Sequence, residues 1–273
     1  MQKLRILGND LTQEGYYMKK FLKMFGAAGL VAGMLMAGGC GDSDSKTQGK
    51  VVKAPVNGAT VTYSDGTTTT TGSNGTYTYN GLAVTTSGGS YTDMNGAVRH
   101  APDMATPAGK TNVTPLTTLY VNASDADKVK LLDLLGTASI DTVVTGTVTG
   151  ATNVLVAKLN ESLGEVLTQL NDRGTAAPSA TYLAGLAAQI ATLTPTTALA
   201  ATSIVAAINA NTVPTTVTID TTAVTAIANL TNEGSVVPTT GPTADPTTPP
   251  LTTTPPPTSS TGSTGSTGGT SVN

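Results

Sequence analysis

The chain has 273 residues, with 14 Lys plus Arg against 17 Asp plus Glu, one His, one Cys, no Trp and only 2 Phe. A single imidazole and a single thiol rule out the multi-His/Cys zinc sites, and one Cys rules out an internal disulfide. The basic residues are few and scattered, which argues against nucleic acid as a partner, since phosphate backbones are bound by clustered Lys and Arg.

The chain opens with a polar, acidic-containing stretch over residues 1–17, which is out of place before the basic start at Met18-Lys19-Lys20. Translation is expected to begin at Met18, leaving 1–17 as a mis-called start. Residues 18–39 then run from basic to apolar to small residues, the profile of an export signal. Their apolar stretch is too short to span a bilayer as an anchor. The junction Gly38-Gly39-Cys40, followed by polar Gly41-Asp42-Ser43-Asp44, resembles the lipobox of bacterial lipoproteins. That resemblance implies cleavage between Gly39 and Cys40 and acylation of Cys40. Ala37 departs from it, standing where an aliphatic residue is usual. Acyl chains contribute about 0.8 kcal/mol per buried methylene, so two or three of them hold a protein on a membrane without a spanning helix. Gly41, standing where the resemblance would have Asp hold a lipoprotein back, permits transfer to an outer membrane, and an outer-membrane or cell-surface address is expected. Without residues 1–39 the chain keeps 9 basic and 15 acidic residues, six net negative charges, and Tyr is its only aromatic type.

Residues 40–48 read as a lipidated polar tether. From 49 to 113 the pattern has a period of two, in Ala59-Thr60-Val61-Thr62-Tyr63, the Thr run 67–71 and Thr76-Tyr77-Thr78-Tyr79, which predicts strands. Ser64-Asp65-Gly66 and Ser73-Asn74-Gly75 supply the positive-φ residues of tight hairpins. A small antiparallel β-sandwich is expected.

From 114 to 231 the period becomes helical. Thr114 as cap with Pro115 behind it opens the first helix, and Ser124 opens a second that carries Asp125 and Asp127 in its first turn and stops at Gly136. Leu155, Leu159, Leu163, Val166, Leu167 and Leu170 repeat at three and four, putting them on one helical face with Lys158, Asn160, Glu161 and Glu165 elsewhere. Two Ala-rich helices follow, around 182–193 and 199–208, divided by Thr194-Pro195, and Val224, Ile227 and Leu230 mark a last one. Their polar positions are Thr, Ser, Gln and Asn, so packing rather than propensity must hold them. Residues 232–273 are Thr, Pro, Ser and Gly with little apolar content and are expected to remain disordered, in a composition compatible with O-glycosylation. The fold class is therefore α+β: a sandwich, then a helical domain, between a disordered tether and a Thr/Pro-rich tail.

Gly58-Ala59-Thr60-Val61-Thr62 with Thr71-Gly72-Ser73-Asn74-Gly75-Thr76-Tyr77-Thr78-Tyr79 resembles the carboxypeptidase-regulatory-like, transthyretin-like sandwich modules, and Thr106-Pro107-Ala108-Gly109 through Thr114-Pro115-Leu116-Thr117-Thr118-Leu119 is similar to the segment by which such modules lead into helices in large bacterial surface proteins. The resemblance implies a usually non-catalytic fold. Relatives often carry an acidic loop able to bind calcium, but Ser64-Asp65-Gly66 offers one carboxylate where several oxygens are needed.

Candidate sites are sparse. His100 has Asp93 and Asp103 as the only nearby acid–base partners in sequence and reads as a solvated loop residue, with no Gly-x-Ser-x-Gly elbow to complete a triad. Glu161 and Glu165 read as a solvated helix face. A Lys cross-link at Lys50 or Lys53 would need a buried carboxylate, and residues 49–113 contain no Glu. No enzyme activity, metal or cofactor is expected. The expected role is a lipid-anchored envelope protein with a structural, adhesive or protein-interaction task, bound to the membrane through Cys40. A carbohydrate-binding alternative requires Tyr63, Tyr77, Tyr79 and Tyr91 to share an exposed face, whereas a scaffold role calls for an open sheet edge or an apolar groove.

Overall fold

A computed structural model describes residues 47–173, 178–213 and 217–243; Gly39, Cys40 and the signal segment lie outside the described residues, as does the tail beyond 243. The described residues fall in one compact unit of α+β class. Two main sheets form first. Strands β2 (Thr60–Tyr63), β3 (Thr68–Thr70), β5 (Val84–Ser87) and β8 (Met104–Thr106) make a four-stranded antiparallel sheet in the order β3-β2-β5-β8. Strands β1 (Gln48–Val51), β4 (Thr76–Thr78) and β9 (Asn112–Val113) make a three-stranded one in the order β4-β1-β9. β6 (Ser90–Thr92) and β7 (Val98–His100) pair as a separate ribbon. The expected alternation is present: Val61, Tyr63, Val84, Thr86, Met104 and Thr106 are buried, while Thr60, Thr85 and Ser87 face solvent.

One pairing departs from the all-antiparallel expectation. β1 is antiparallel to β4 but parallel to β9. β9 comes back after the whole four-stranded sheet and must run forward into the first helix, so it lies beside β1 in the same direction. Gly75 lets the β3–β4 turn close onto this sheet: its φ is 75°, and a Cβ there would sit 2.6 Å from the carbonyl oxygen of Val51.

The joint between sheet and helices explains the Thr-Pro-Leu-Thr-Thr-Leu run residue by residue. Thr114 caps α1 (Pro115–Asn122), its Oγ1 accepting from the Thr117 N–H at 3.1 Å while Thr117 Oγ1 accepts from the Thr114 N–H at 2.8 Å. Pro115 occupies the first helical position, where no N–H is needed. Leu116 and Leu119 are fully buried. The Thr117 and Thr118 hydroxyls also tie the helix back to the sheet: Thr117 Oγ1 donates to the Ala105 carbonyl at 2.7 Å, and Thr118 Oγ1 accepts from the Ala105 N–H at 3.0 Å.

Helix α2 (Asp125–Leu135) starts at Ser124 and ends at Gly136, whose φ of 65° terminates it, as its sequence predicts. Its buried residues are Leu131, Leu134 and Leu135, whereas Val129 and Leu132 face outward. Helices α3 (Ala151–Arg173), α4 (Ala180–Ile190), α5 (Ala201–Ala210) and α6 (Thr221–Leu230) follow, with a 3-10 turn at Thr197–Leu199. Sheet residues such as Val51, Tyr77 and Tyr91 and helix residues such as Leu159, Leu186 and Ile204 belong to one continuous hydrophobic core. α3 is its centre, packed against α1 and α6. Leu159, Leu163, Val166 and Leu167 are fully buried there, each contributing about 2 kcal/mol.

The folded unit runs past the expected boundary at 231. Val236–Val237 forms β11, antiparallel to β10 (Gly146–Thr147). Farther on, Gly241 N–H donates to the Ser73 carbonyl at 2.6 Å and Asn57 Nδ2 to the Pro242 carbonyl at 2.7 Å. Two valines and an available strand edge suffice to capture a segment whose overall composition is that of a disordered tail.

Candidate functional site

The densest concentration of chemistry lies inside the core, on the face of α3 turned to the sheet. Glu161, Glu165, Thr168, Gln169 and Asp172 recur at spacings of three and four, forming a polar stripe beside the leucine stripe. This overturns the expectation of a solvated face. Glu161 is 3 % and Glu165 2 % exposed, and Lys158 and Asn160 are buried as well. Residues 154–170 of this helix are all buried, so its polar groups depend on partners within the fold, which the stripe finds and Ser162 Oγ does not.

Lys53 supplies the first. After β1 the chain makes a tight turn, closed by the Val52–Pro55 bridge and the Val56 N–H to Val51 carbonyl bond, and this turn sends Lys53 inward. The side chain is fully buried, with Nζ 3.3 Å from Glu161 Oε2 and 4.8 Å from the centroid of the Tyr91 ring. Its stem lies against Gly164, where a Cβ would be 2.5 Å from Lys53 Cγ. Tyr91, itself fully buried, pairs its hydroxyl with Thr168 Oγ1 at 3.2 Å. Arg99 from β7 reaches Glu165 at 3.1 Å and Asp172 at 3.8 Å. Gln169 completes the stripe: its Nε2 donates to Glu165 at 3.0 Å, and its Oε1 accepts from the N–H of Asp220, the cap of α6, at 2.6 Å.

Burial works against a charge on Lys53, but Tyr91, Glu161 and Glu165 outweigh it and hold the ammonium well above its ordinary pKa. Burial is also the largest influence on Glu161 and raises its carboxyl despite the opposing pull of Lys53. The two directions are consistent with a charged Lys53 beside the carboxyl of the stripe that takes up a proton more readily than usual. Chemically, the site brings an amine and a carboxyl together where little of either side chain reaches solvent. Two partners 108 positions apart could not be paired from sequence. The signal available was the 161/165/168/169/172 spacing itself, set among few basic residues on so long a helix.

The other predicted residues are dispersed. Tyr63, Tyr77 and Tyr91 are buried at 6 %, 4 % and 0 %, and Tyr79 is half-buried against the core, so the four rings do not form an exposed platform. Tyr63 shares a strand face with Val61, which is the sequence signal for its burial. Tyr63 and Tyr77 pack 6.4 Å apart, and the Tyr77 hydroxyl donates to the Thr111 carbonyl at 2.8 Å. His100 lies on β7, and among the described residues no hydrogen bond or ion pair joins it to Asp93 or Asp103. Asp93 instead accepts the N–H groups of Asn95 and Ala97 in the β6–β7 turn. Asp65 likewise receives the Thr67 N–H and hydroxyl. Lys50 is half-buried in β1. Among the described residues no three His, Cys, Asp or Glu cluster to hold a metal.

A surface cleft of about 360 Å³ lies beside β2, β5, β8 and the end of α1, lined by Thr62, Tyr63, Thr85, Tyr120 and Val121, with Lys128 its one charged group. No protein family, curated protein or solved structure matches the chain.

Proposed function

We propose that this is a lipid-anchored protein of the cell envelope, at the outer membrane or cell surface, with a non-enzymatic structural, adhesive or protein-interaction role. The Gly39-Cys40 junction behind a basic, apolar leader carries the reading. β1 begins at Gln48, so a tether of about 8 residues extends at most roughly 28 Å from Cys40 and holds the folded unit close to a bilayer. The two main sheets, with their turn glycines and the Thr114–Leu119 joint, support a carboxypeptidase-regulatory-like sandwich serving as a scaffold. β3 suits a partner-binding role: it ends the four-stranded sheet with Thr68 and Thr70 exposed, leaving one strand edge for an added strand.

The test is the intact mass of the protein extracted from membranes with detergent. The expected species begins at Cys40, carries acyl chains, and loses both its acyl mass and its membrane partition in Cys40→Ser. An unmodified N-terminus, or membrane retention unchanged in Cys40→Ser, refutes the anchoring.

A further inference from the structure

The Lys53–Glu161 pair differs from the other ion pairs described. In the remaining pairs the basic side chain keeps at least 26 % of its surface in water, whereas Lys53 keeps none and the Glu161 side chain only 4 %. The carboxyl of Glu161 is also less engaged than its neighbour. Glu165 receives Arg99 and Gln169, while the described hydrogen bonds of Glu161's side chain come from Lys53 alone. On the amine side, an ammonium with three N–H donors faces one carboxylate oxygen and the Tyr91 ring.

We propose that Lys53 and Glu161 condense to an intramolecular amide, a covalent staple between the turn after β1 and the central helix. A proton first passes from Nζ to Oε2 across their 3.3 Å contact, which yields a neutral amine and a carboxylic acid. The amine nitrogen then attacks Cδ, the C–O bond to the protonated oxygen breaks, and that oxygen leaves with a second proton from nitrogen as water. The product is a C–N bond carrying one N–H. Both charges are gone, nothing is oxidised or reduced, and no co-reactant enters.

Three features favour this step. The fold holds amine and carboxyl in contact, and well-oriented intramolecular partners reach effective concentrations of about 10⁵–10⁸ M. Gly164 leaves the groove in which the Lys53 stem lies, which keeps Nζ beside the Glu161 carboxyl. The low exposure of the pair, none for Lys53 and 4 % for the Glu161 side chain, slows hydrolysis of the product amide. The staple would join the strand entered by the tether to the helix around which the core is built, the place where a pull on the N-terminus is first resisted.

Tryptic mapping of the full chain purified from cells tests this, whatever the fate of Cys40. The expected result is a branched species in which Val51–Arg99, uncut at Lys53, is joined to Leu159–Arg173 with the loss of one water. Quantitative recovery of Leu159–Arg173 as a linear peptide, with cleavage after Lys53, overturns the proposal. The variant Lys53→Arg must lack the branched species, and its persistence there would equally overturn the assignment. The wild-type map decides the question even where that variant folds poorly.

Discussion

Gly164→Ala separates local preference from tertiary packing in a single methyl group. On an exposed helix this change stabilises by about 0.8–1 kcal/mol, because Ala loses less backbone entropy than Gly. At position 164 the new Cβ would stand 2.5 Å from Lys53 Cγ, 2.6 Å from Cε and 2.9 Å from Cδ. Carbon atoms pack at about 3.5–4.0 Å, so the overlap is roughly 1 Å along most of the Lys53 stem. A surface lysine would swing away, but Lys53 is fully buried and enclosed by Glu161, Tyr91 and α3. Overpacking of this kind costs about 1–3 kcal/mol. Where the amide has not formed, displacing Nζ from Glu161 adds the penalty of a parted buried pair, about 3–5 kcal/mol when complete. Subtracting the propensity gain leaves a net loss of about 0–2 kcal/mol from overpacking alone, and of about 3–7 if the pair separates completely. Urea unfolding of the full chain at neutral pH reads this as a lower midpoint. A midpoint above wild type, the result expected from helix propensity alone, would refute the packing argument. The same substitution should lower the yield of the branched Lys53–Glu161 peptide.

Arg99→Ala is expected to cost about 2 kcal/mol in the same assay, because it strips a charged partner from buried Glu165 while Gln169 stays to satisfy part of it; a change under half that size would mean Arg99 is ornamental. Asp141 gives a pH dependence. Burial alone would raise its carboxyl, but hydrogen bonds from Ser139 Oγ and the Thr111 N–H, with Lys110 nearby, bring it below the ordinary value. Its folded pKa is thus below its unfolded value of about 3.9, so its contribution is fully present above pH 4 and is lost as pH falls through the folded value. Asp141→Asn should flatten the acid limb of a stability–pH curve, and an unchanged limb would count against the assignment. Gly241→Ala would set a Cβ 2.6 Å from the Pro55 carbonyl oxygen and push the 232–243 strap off Asn57; limited proteolysis should then cut this segment faster than in wild type, and equal rates would contradict the docking.

Local signals written into neighbouring residues were legible in the sequence. Ser124 with Asp125 and Asp127, and Gly136 eleven positions beyond that first turn, mark the ends of α2 because caps act on N–H and C=O groups within a few residues. Thr114-Pro115 marks the start of α1 for the same reason, and the alternation in Thr60-Val61-Thr62-Tyr63 marks β2. Long-range placement was not legible. Periodicity shows which residues share a face but not what lies opposite, so Glu161 and Glu165 look alike whether that face meets water or Lys53 and Arg99. The tyrosines have the same ambiguity, since a ring in a Thr-rich strand suits an outer platform as well as an inner layer until the second sheet and the helices are in place. By itself the sequence determined an α+β chain, the caps that bound α1 and α2, and its acidic balance. Only the tertiary structure decided that α3 is surrounded on all sides, that residues 232–243 join the fold, and that Lys53 meets Glu161, because each of these depends on contacts between segments far apart in the chain.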